Sequence, residues 1–165
     1  MPGFRLLFLA QFAVCASLLA YGFYLQYVEF LDPCPLCMVQ RVFFAAIGAV
    51  GLLAGIHGAT GLARRIYAGL MVLLSFGGAG VAGRQIWLQH SPDGHLLECG
   101  AGLGSMLDTM PLFDVISKVL AGTGDCAVVQ WTFLGFSIPE WAMLCFVLML
   151  CTNLYLMLAR APSRG

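Results

Sequence analysis

The chain has 165 residues, of which 61% are hydrophobic and 10% charged. A water-solvated domain carries about 25% charged residues, so this composition excludes an ordinary soluble globule and points to a bilayer as the solvent. The eight basic and eight acidic side chains cancel; net charge indicates neither an acidic nor a basic partner, and no nucleic-acid partner is expected.

A helix that crosses a bilayer needs roughly 20 mainly apolar residues. The first such stretch covers about residues 6–27. Its apolar core is too long for a secretory signal, and further spans follow, so it is expected to remain as an uncleaved first helix. A short polar loop, about residues 28–37, leads into the second span through "EFLDPCPLCMVQRVFF" (29–44), with Cys34 and Cys37 in a Cys-x-x-Cys pair that has Pro33 before it and Pro35 inside it. The second span covers about residues 38–56 and carries Gly51 and Gly55 at the four-residue spacing that lets helix backbones approach in lipid. "HGATGLARR" turns the chain into a third span, about 66–88, whose "SFGGAGVAG" run is again read as packing. Arg84 near its end reads as a snorkelling side chain, and His90 and His95 read as solvated loop residues.

A long loop follows, about residues 89–140, with Cys99 and Cys126. Between them Leu112, Phe113, Ile116, Val119 and Leu120 recur at helical spacing. Pro111 suits a first helical position and Gly122 a stop, with Asp114 and Lys118 on the other face. The helix is expected either to lie on the membrane surface or to pack on the protein's own outer face. The fourth span covers about residues 141–158. The expected architecture is therefore a single all-α domain over residues 1–165: a four-helix transmembrane bundle with two outer loops, the second carrying a short amphipathic helix.

Orientation follows from the basic residues. Arg5, Arg64, Arg65, Arg160 and Arg164 lie at the two termini and in the second-to-third connection, which the positive-inside rule assigns to the cytoplasm. Cys34, Cys37, Cys99 and Cys126 then face the outer, disulfide-permitting side. Cys15, Cys145 and Cys151 fall inside spans and read as small apolar residues.

The Cys-x-x-Cys pair has three readings. Structural zinc wants four ligands in paired clusters, and no second such cluster exists, so no metal site is expected. A static bridge over so short a loop removes little unfolded-state entropy. A reversible redox pair fits best: a thiol at a helix start meets the positive end of the helix dipole. Arg41, four residues after Cys37, shares its helix face. Arg41 by itself reads as a snorkel, but an ionisable side chain inside a span is a functional candidate. A second outer cysteine pair allows a relay, because thiolates exchange disulfides by direct attack.

In "PCPLCMVQR" (33–41), in "GDCAVVQWTFLGFSIPEW" (124–141), and in the layout of four spans with a cysteine pair in each outer loop, the chain resembles the DsbB family of bacterial inner-membrane disulfide bond formation proteins. The resemblance covers nearly the whole chain. It implies that Cys99 and Cys126 form the disulfide that oxidises a periplasmic, thioredoxin-like DsbA partner, with Cys99 the sulfur attacked. It implies that Cys126 passes the electrons to the Cys34–Cys37 pair, that Cys37 faces a membrane quinone (ubiquinone or menaquinone), and that Arg41 helps to hold the quinone. No role transfers to His90, where the spacing differs. DsbA is a strong oxidant, near about −120 mV, so its re-oxidation needs a sink such as a lipid-soluble quinone. Two alternatives stand beside this reading: a vitamin K epoxide reductase-like enzyme, in which the Cys-x-x-Cys comes late rather than before the second span, and a non-enzymatic tetraspan scaffold with structural loop disulfides.

Overall fold

A computed structural model describes residues 2–91, 108, 111–122, 124–129 and 131–159. Four helices are long and apolar enough to cross a membrane: α1 (Pro2–Tyr27), α2 (Pro35–His57), α3 (Gly61–His90) and, last in the chain, α6 (Ile138–Leu158). Between α3 and α6 lie α4 (Leu112–Ala121), the single turn α5 (Gly124–Ala127), and a hairpin of β1 (Thr132–Phe133) and β2 (Phe136–Ser137). The hairpin turns on Leu134 and Gly135, both at positive φ (54° and 84°), the backbone that a tight two-residue hairpin turn requires.

The helices outrun the apolar stretches that announce them, because capping rather than hydropathy sets their ends. α2 starts at Pro35, not near residue 38: Pro35 is preset for the first helical position, and Cys34, in extended conformation, is the N-cap. α3 takes in the polar "GLARR" that the sequence assigns to the connection, so Thr60 is its N-cap and the turn from α2 is only 58–60. α6 starts at Ile138, where the Glu140 carboxylate accepts hydrogen bonds from the Ser137 N–H (2.6 Å) and hydroxyl (2.9 Å) and ties down the entrance to the helix.

Within the bundle α3 packs against α6 and α2, and α1 packs against α2. Small residues make these approaches possible, as the sequence predicts. A Cβ on Gly55 would sit 2.5 Å from the Leu9 side chain of α1, and one on Gly78 would collide with the Phe146 ring of α6. That ring stacks on Phe44 of α2 with centroids 4.1 Å apart, so three helices meet at one aromatic pair. A polar pair lies in the core: Gln11 and Asn153, both buried, exchange amide hydrogen bonds of 3.1 and 2.8 Å. Their pairing spares two buried amides the cost of going unsatisfied.

α4 packs on the protein's own surface, the second of its two expected settings; Val119 of the expected stripe is buried, but Phe113 is not, and Val115 is buried in addition. Val115 and Val119 are buried against Leu36, Val81 and Leu88, while Phe113 is 81% exposed. Pro111 is the N-cap rather than the first helical residue, and Gly122 (φ 88°) caps the end by donating to the carbonyls of Lys118 and Val119.

Candidate thiol centre and its cavity

The N-cap geometry of α2 brings the first two sulfurs together. The Cys34 side chain accepts the Cys37 N–H at 3.4 Å, and the Cys34 thiol donates to the Cys37 sulfur at 3.1 Å. Cys37 therefore sits one residue-turn inside the helix, with Cys34, not Cys37, at the boundary. Cys34 is 6% exposed.

A third sulfur approaches from the second loop. α5 carries Cys126, which is fully buried in the apolar cluster of Cys34, Leu36, Val81, Leu88, Val115 and Val119. Cys34 is within hydrogen-bonding reach of it. That bond, then the one to Cys37, then burial, push the Cys34 thiol well above the usual thiol range. Cys34 thus stands between Cys37 and Cys126 and holds its proton hard. The expected disulfide partner of Cys126, Cys99, lies outside the described residues, as does His95.

Sequence reasoning missed the polar support of this centre. Gln85 of α3, 3% exposed, points its amide nitrogen at both sulfurs, 3.1 Å from Cys37 Sγ and 3.4 Å from Cys34 Sγ. Gln40 of α2, equally buried, donates to Gln85 Oε1 at 2.7 Å. The same oxygen also accepts from the Cys37 thiol at 3.6 Å, while the N–H group faces both sulfurs. The available signal was a polar residue within an otherwise apolar span.

Arg41 lies one turn deeper and is held by α1. Its Nη1 donates to Gln26 Oε1 at 2.5 Å, its Nη2 to the Gly22 carbonyl at 2.8 Å, and its guanidinium lies 5.2 Å from the centroid of the Phe23 ring. It is pinned inward rather than reaching out as a snorkel. Arg41 and Cys37 then share the wall of a cavity of about 450 Å³ with Gln40 and with apolar groups including Leu25, Phe44, Trp131 and Trp141. Cys145, read from the sequence as inert, also lines it. The other readings keep their bland character: Arg84 lies over the Trp87 ring at 4.5 Å, exposed His90 contacts the Ile86 carbonyl at 2.9 Å, and Cys15 packs 3.9 Å from the sulfur of Met149.

Three neighbouring thiols, one of them on the wall of a mainly apolar cavity beside an arginine, on a membrane-spanning bundle, define a membrane thiol–disulfide oxidoreductase. The comparisons with known proteins narrow this class. The family model "Disulfide bond formation protein DsbB" matches residues 4–156. Disulfide bond formation protein B of Azoarcus sp. strain BH72 is 44% identical over 156 residues, 94% of this chain and 93% of its own. The protein of the same name from Marinobacter nauticus is 45% identical over 160 residues, 97% and 95% of the two chains. Disulfide bond formation protein B 1 of Pseudomonas aeruginosa is 44% identical over 157 residues, 95% and 96%. The chain belongs to the DsbB family of disulfide bond formation proteins. The scaffold and vitamin K epoxide reductase-like alternatives fall away with that assignment.

Proposed function

We propose that the protein re-oxidises a periplasmic DsbA-like dithiol and delivers the electrons to a membrane quinone of the ubiquinone or menaquinone type. The observation that carries this reading is the position of Cys34, which touches Cys126 on one side and Cys37 on the other, while Cys37 opens onto the apolar cavity beside Arg41.

The exchange balances in thiol–disulfide steps. A partner thiolate attacks Cys99 of the Cys99–Cys126 disulfide and releases Cys126 as a thiolate. Cys126 attacks Cys34 of the Cys34–Cys37 disulfide, and Cys37 leaves as a thiolate beside the Gln85 N–H group. The partner's second thiol displaces Cys99, which attacks Cys126 and frees Cys34. The partner is then oxidised, Cys99–Cys126 is restored, and Cys34 and Cys37 carry two electrons. A bound quinone would supply the two-electron, two-proton acceptor that returns this pair to the disulfide. The chain's residues fit such a group: the cavity is apolar where a ring and prenyl tail would lie, and Arg41 keeps guanidinium N–H donors beyond the two bound by α1.

The same reading sets the cysteine loops in the periplasm and both termini in the cytoplasm of a bacterial inner membrane, in keeping with the basic residues at the opposite end. In proteoliposomes holding quinone and a reduced DsbA-like protein, the wild type oxidises the partner and Cys37→Ser does not; undiminished turnover by the variant refutes the assignment. A cysteine-labelling reporter that finds Cys34 or Cys126 on the cytoplasmic side refutes the topology.

A further inference from the structure

At the end of the bundle away from the thiols, a second cavity of about 650 Å³ lies between residues of α1, α3 and the α2–α3 turn. It has no part in the disulfide chemistry. Its lining is of two kinds: Leu6 and Leu9 on an apolar side, Arg5, Thr60 and Arg64 on a polar one. Arg64 is 2% exposed. Its guanidinium lies 4.4 Å from the centroid of the Phe4 ring, and its Nη2 donates to the Ala159 carbonyl. Its Nε and Nη1 are buried with no partner among the described residues. A buried cation with two unused donors is costly unless an anion completes it.

Among the described residues the acidic side chains are badly placed to do so: Glu29, Asp32, Asp114 and Glu140 lie at or between helix ends on the thiol side. Backbone electrostatics add to the demand. The first turn of α1, at Gly3 and Phe4, and that of α3, at Gly61, both border the cavity, and the Thr60 side chain makes no capping bond to α3. Two helix N-termini, each with unpaired N–H groups and a partial positive charge, thus converge beside a guanidinium with two of its nitrogens unpartnered among the described residues.

We propose that this cavity binds the phosphate of an anionic phospholipid from the leaflet opposite the thiols. The Arg64 guanidinium supplies positive charge from the cavity wall, the Thr60 hydroxyl and the first N–H groups of α3 contact the phosphate oxygens, and Arg5 closes the rim. A lipid fits better than a soluble anion because the apolar half of the lining runs onto the outward flank, where Leu6 is 68% and Leu62 74% exposed, a surface for acyl chains. Excess positive charge, with Arg65 also exposed beside the site, favours an anionic over a zwitterionic headgroup.

The test is native mass spectrometry with parallel thermal melts on the full-length protein in detergent, with phosphatidylglycerol, phosphatidylcholine or millimolar inorganic phosphate added. Phosphatidylglycerol should be retained and should raise the melting temperature, phosphatidylcholine should do neither, and inorganic phosphate should compete only weakly. Arg64→Gln should lower phosphatidylglycerol affinity about tenfold, the scale of one lost charge-assisted contact. Where Arg64→Gln fails to fold, Arg5→Gln at the exposed rim decides: it should keep wild-type partner oxidation and lose affinity about threefold or more. Equal retention of the two lipids by the wild type, phosphatidylglycerol retention unchanged in the folded variants, or saturation by inorganic phosphate without lipid preference would each overturn the proposal.

Discussion

Replacing Gln85 by Leu removes the N–H group that faces both sulfurs, at 3.1 and 3.4 Å, with little change in side-chain volume. The consequence can be sized. When the Cys34–Cys37 pair is reduced and Cys37 leaves as a thiolate, that N–H bonds an anion, and hydrogen bonds to charged groups contribute about 1.5–3 kcal/mol. The disulfide offers no comparable acceptor, so the contact stabilises the reduced form selectively. For a two-electron couple about 30 mV corresponds to about 1.4 kcal/mol, so Gln85→Leu should make the pair less oxidising by about 30–65 mV. The assay is equilibration of the Cys34–Cys37 couple against a thiol redox buffer, in a background with Cys99 and Cys126 changed to Ser so that no other exchange intervenes. The variant also strands the Gln40 amide that now donates at 2.7 Å, which costs about 1–3 kcal/mol of stability; a thermal melt measures this separately. An unchanged or more oxidising potential in a folded variant would refute the claim that Gln85 tunes the thiols.

Gly78→Val places a side chain inside the Phe146 ring; overpacking of this kind costs about 1–3 kcal/mol or more, and the melting temperature should fall while Gly80→Ala, with open space around it, changes it little. Arg41→Gln should raise the KM for quinone about tenfold or more while leaving the Cys99-to-partner exchange intact; an unchanged KM removes Arg41 from the acceptor site. The pH dependence has a definite sign. In the reduced protein the Cys34 thiol is pushed up from the usual 9.0 by its bonds to Cys126 and Cys37 and by burial. Its proton is therefore held more tightly folded than unfolded, and that contribution is complete below about pH 9 and is lost as pH rises towards the folded value. Melts from about pH 8 to about pH 10.5 should show a decline in the reduced protein that exceeds that of the oxidised protein, and parallel curves would refute it.

The bundle was legible because a bilayer leaves few choices: four apolar stretches of spanning length must become helices, and their small residues must face neighbours. Gly55 against Leu9 and Gly78 against Phe146 bear this out. Cys34, Cys37 and Arg41 were legible because spacing alone sets what shares the first turns of a helix. Three things were not. Helix ends depend on local chemistry, such as Pro35 at the first position of α2 and the capping box at Ser137, which hydropathy does not register. The inward face of α4 depends on where the rest of the outer layer lies: Val115, not Phe113, meets Leu36 and Leu88, and periodicity cannot tell which edge of a wide apolar stripe faces the protein. The role of Gln85 depends on a tertiary contact 48 residues from Cys37, which no local pattern encodes.

The position of Cys34 gives the site its direction. A thiol that keeps its proton is a poor nucleophile, and a sulfur that is buried between two others is a good electrophile when oxidised, because attack from one side expels the other. Cys34 meets both conditions: it lies against Cys126 towards the second loop and against Cys37 towards the cavity. Cys37 meets the opposite ones, with the Gln85 amide ready to receive negative charge on its sulfur. In the proposed relay, an attack by Cys126 on Cys34 moves the leaving electron pair inward, to the one sulfur of the described three that borders the apolar cavity beside Arg41. The reverse attack by Cys37 is opposed by the same amide that stabilises it as a leaving group. The asymmetry comes from the N-cap: exchanging the environments of Cys34 and Cys37 would require α2 to begin a turn later, which Pro35 at its first position does not favour.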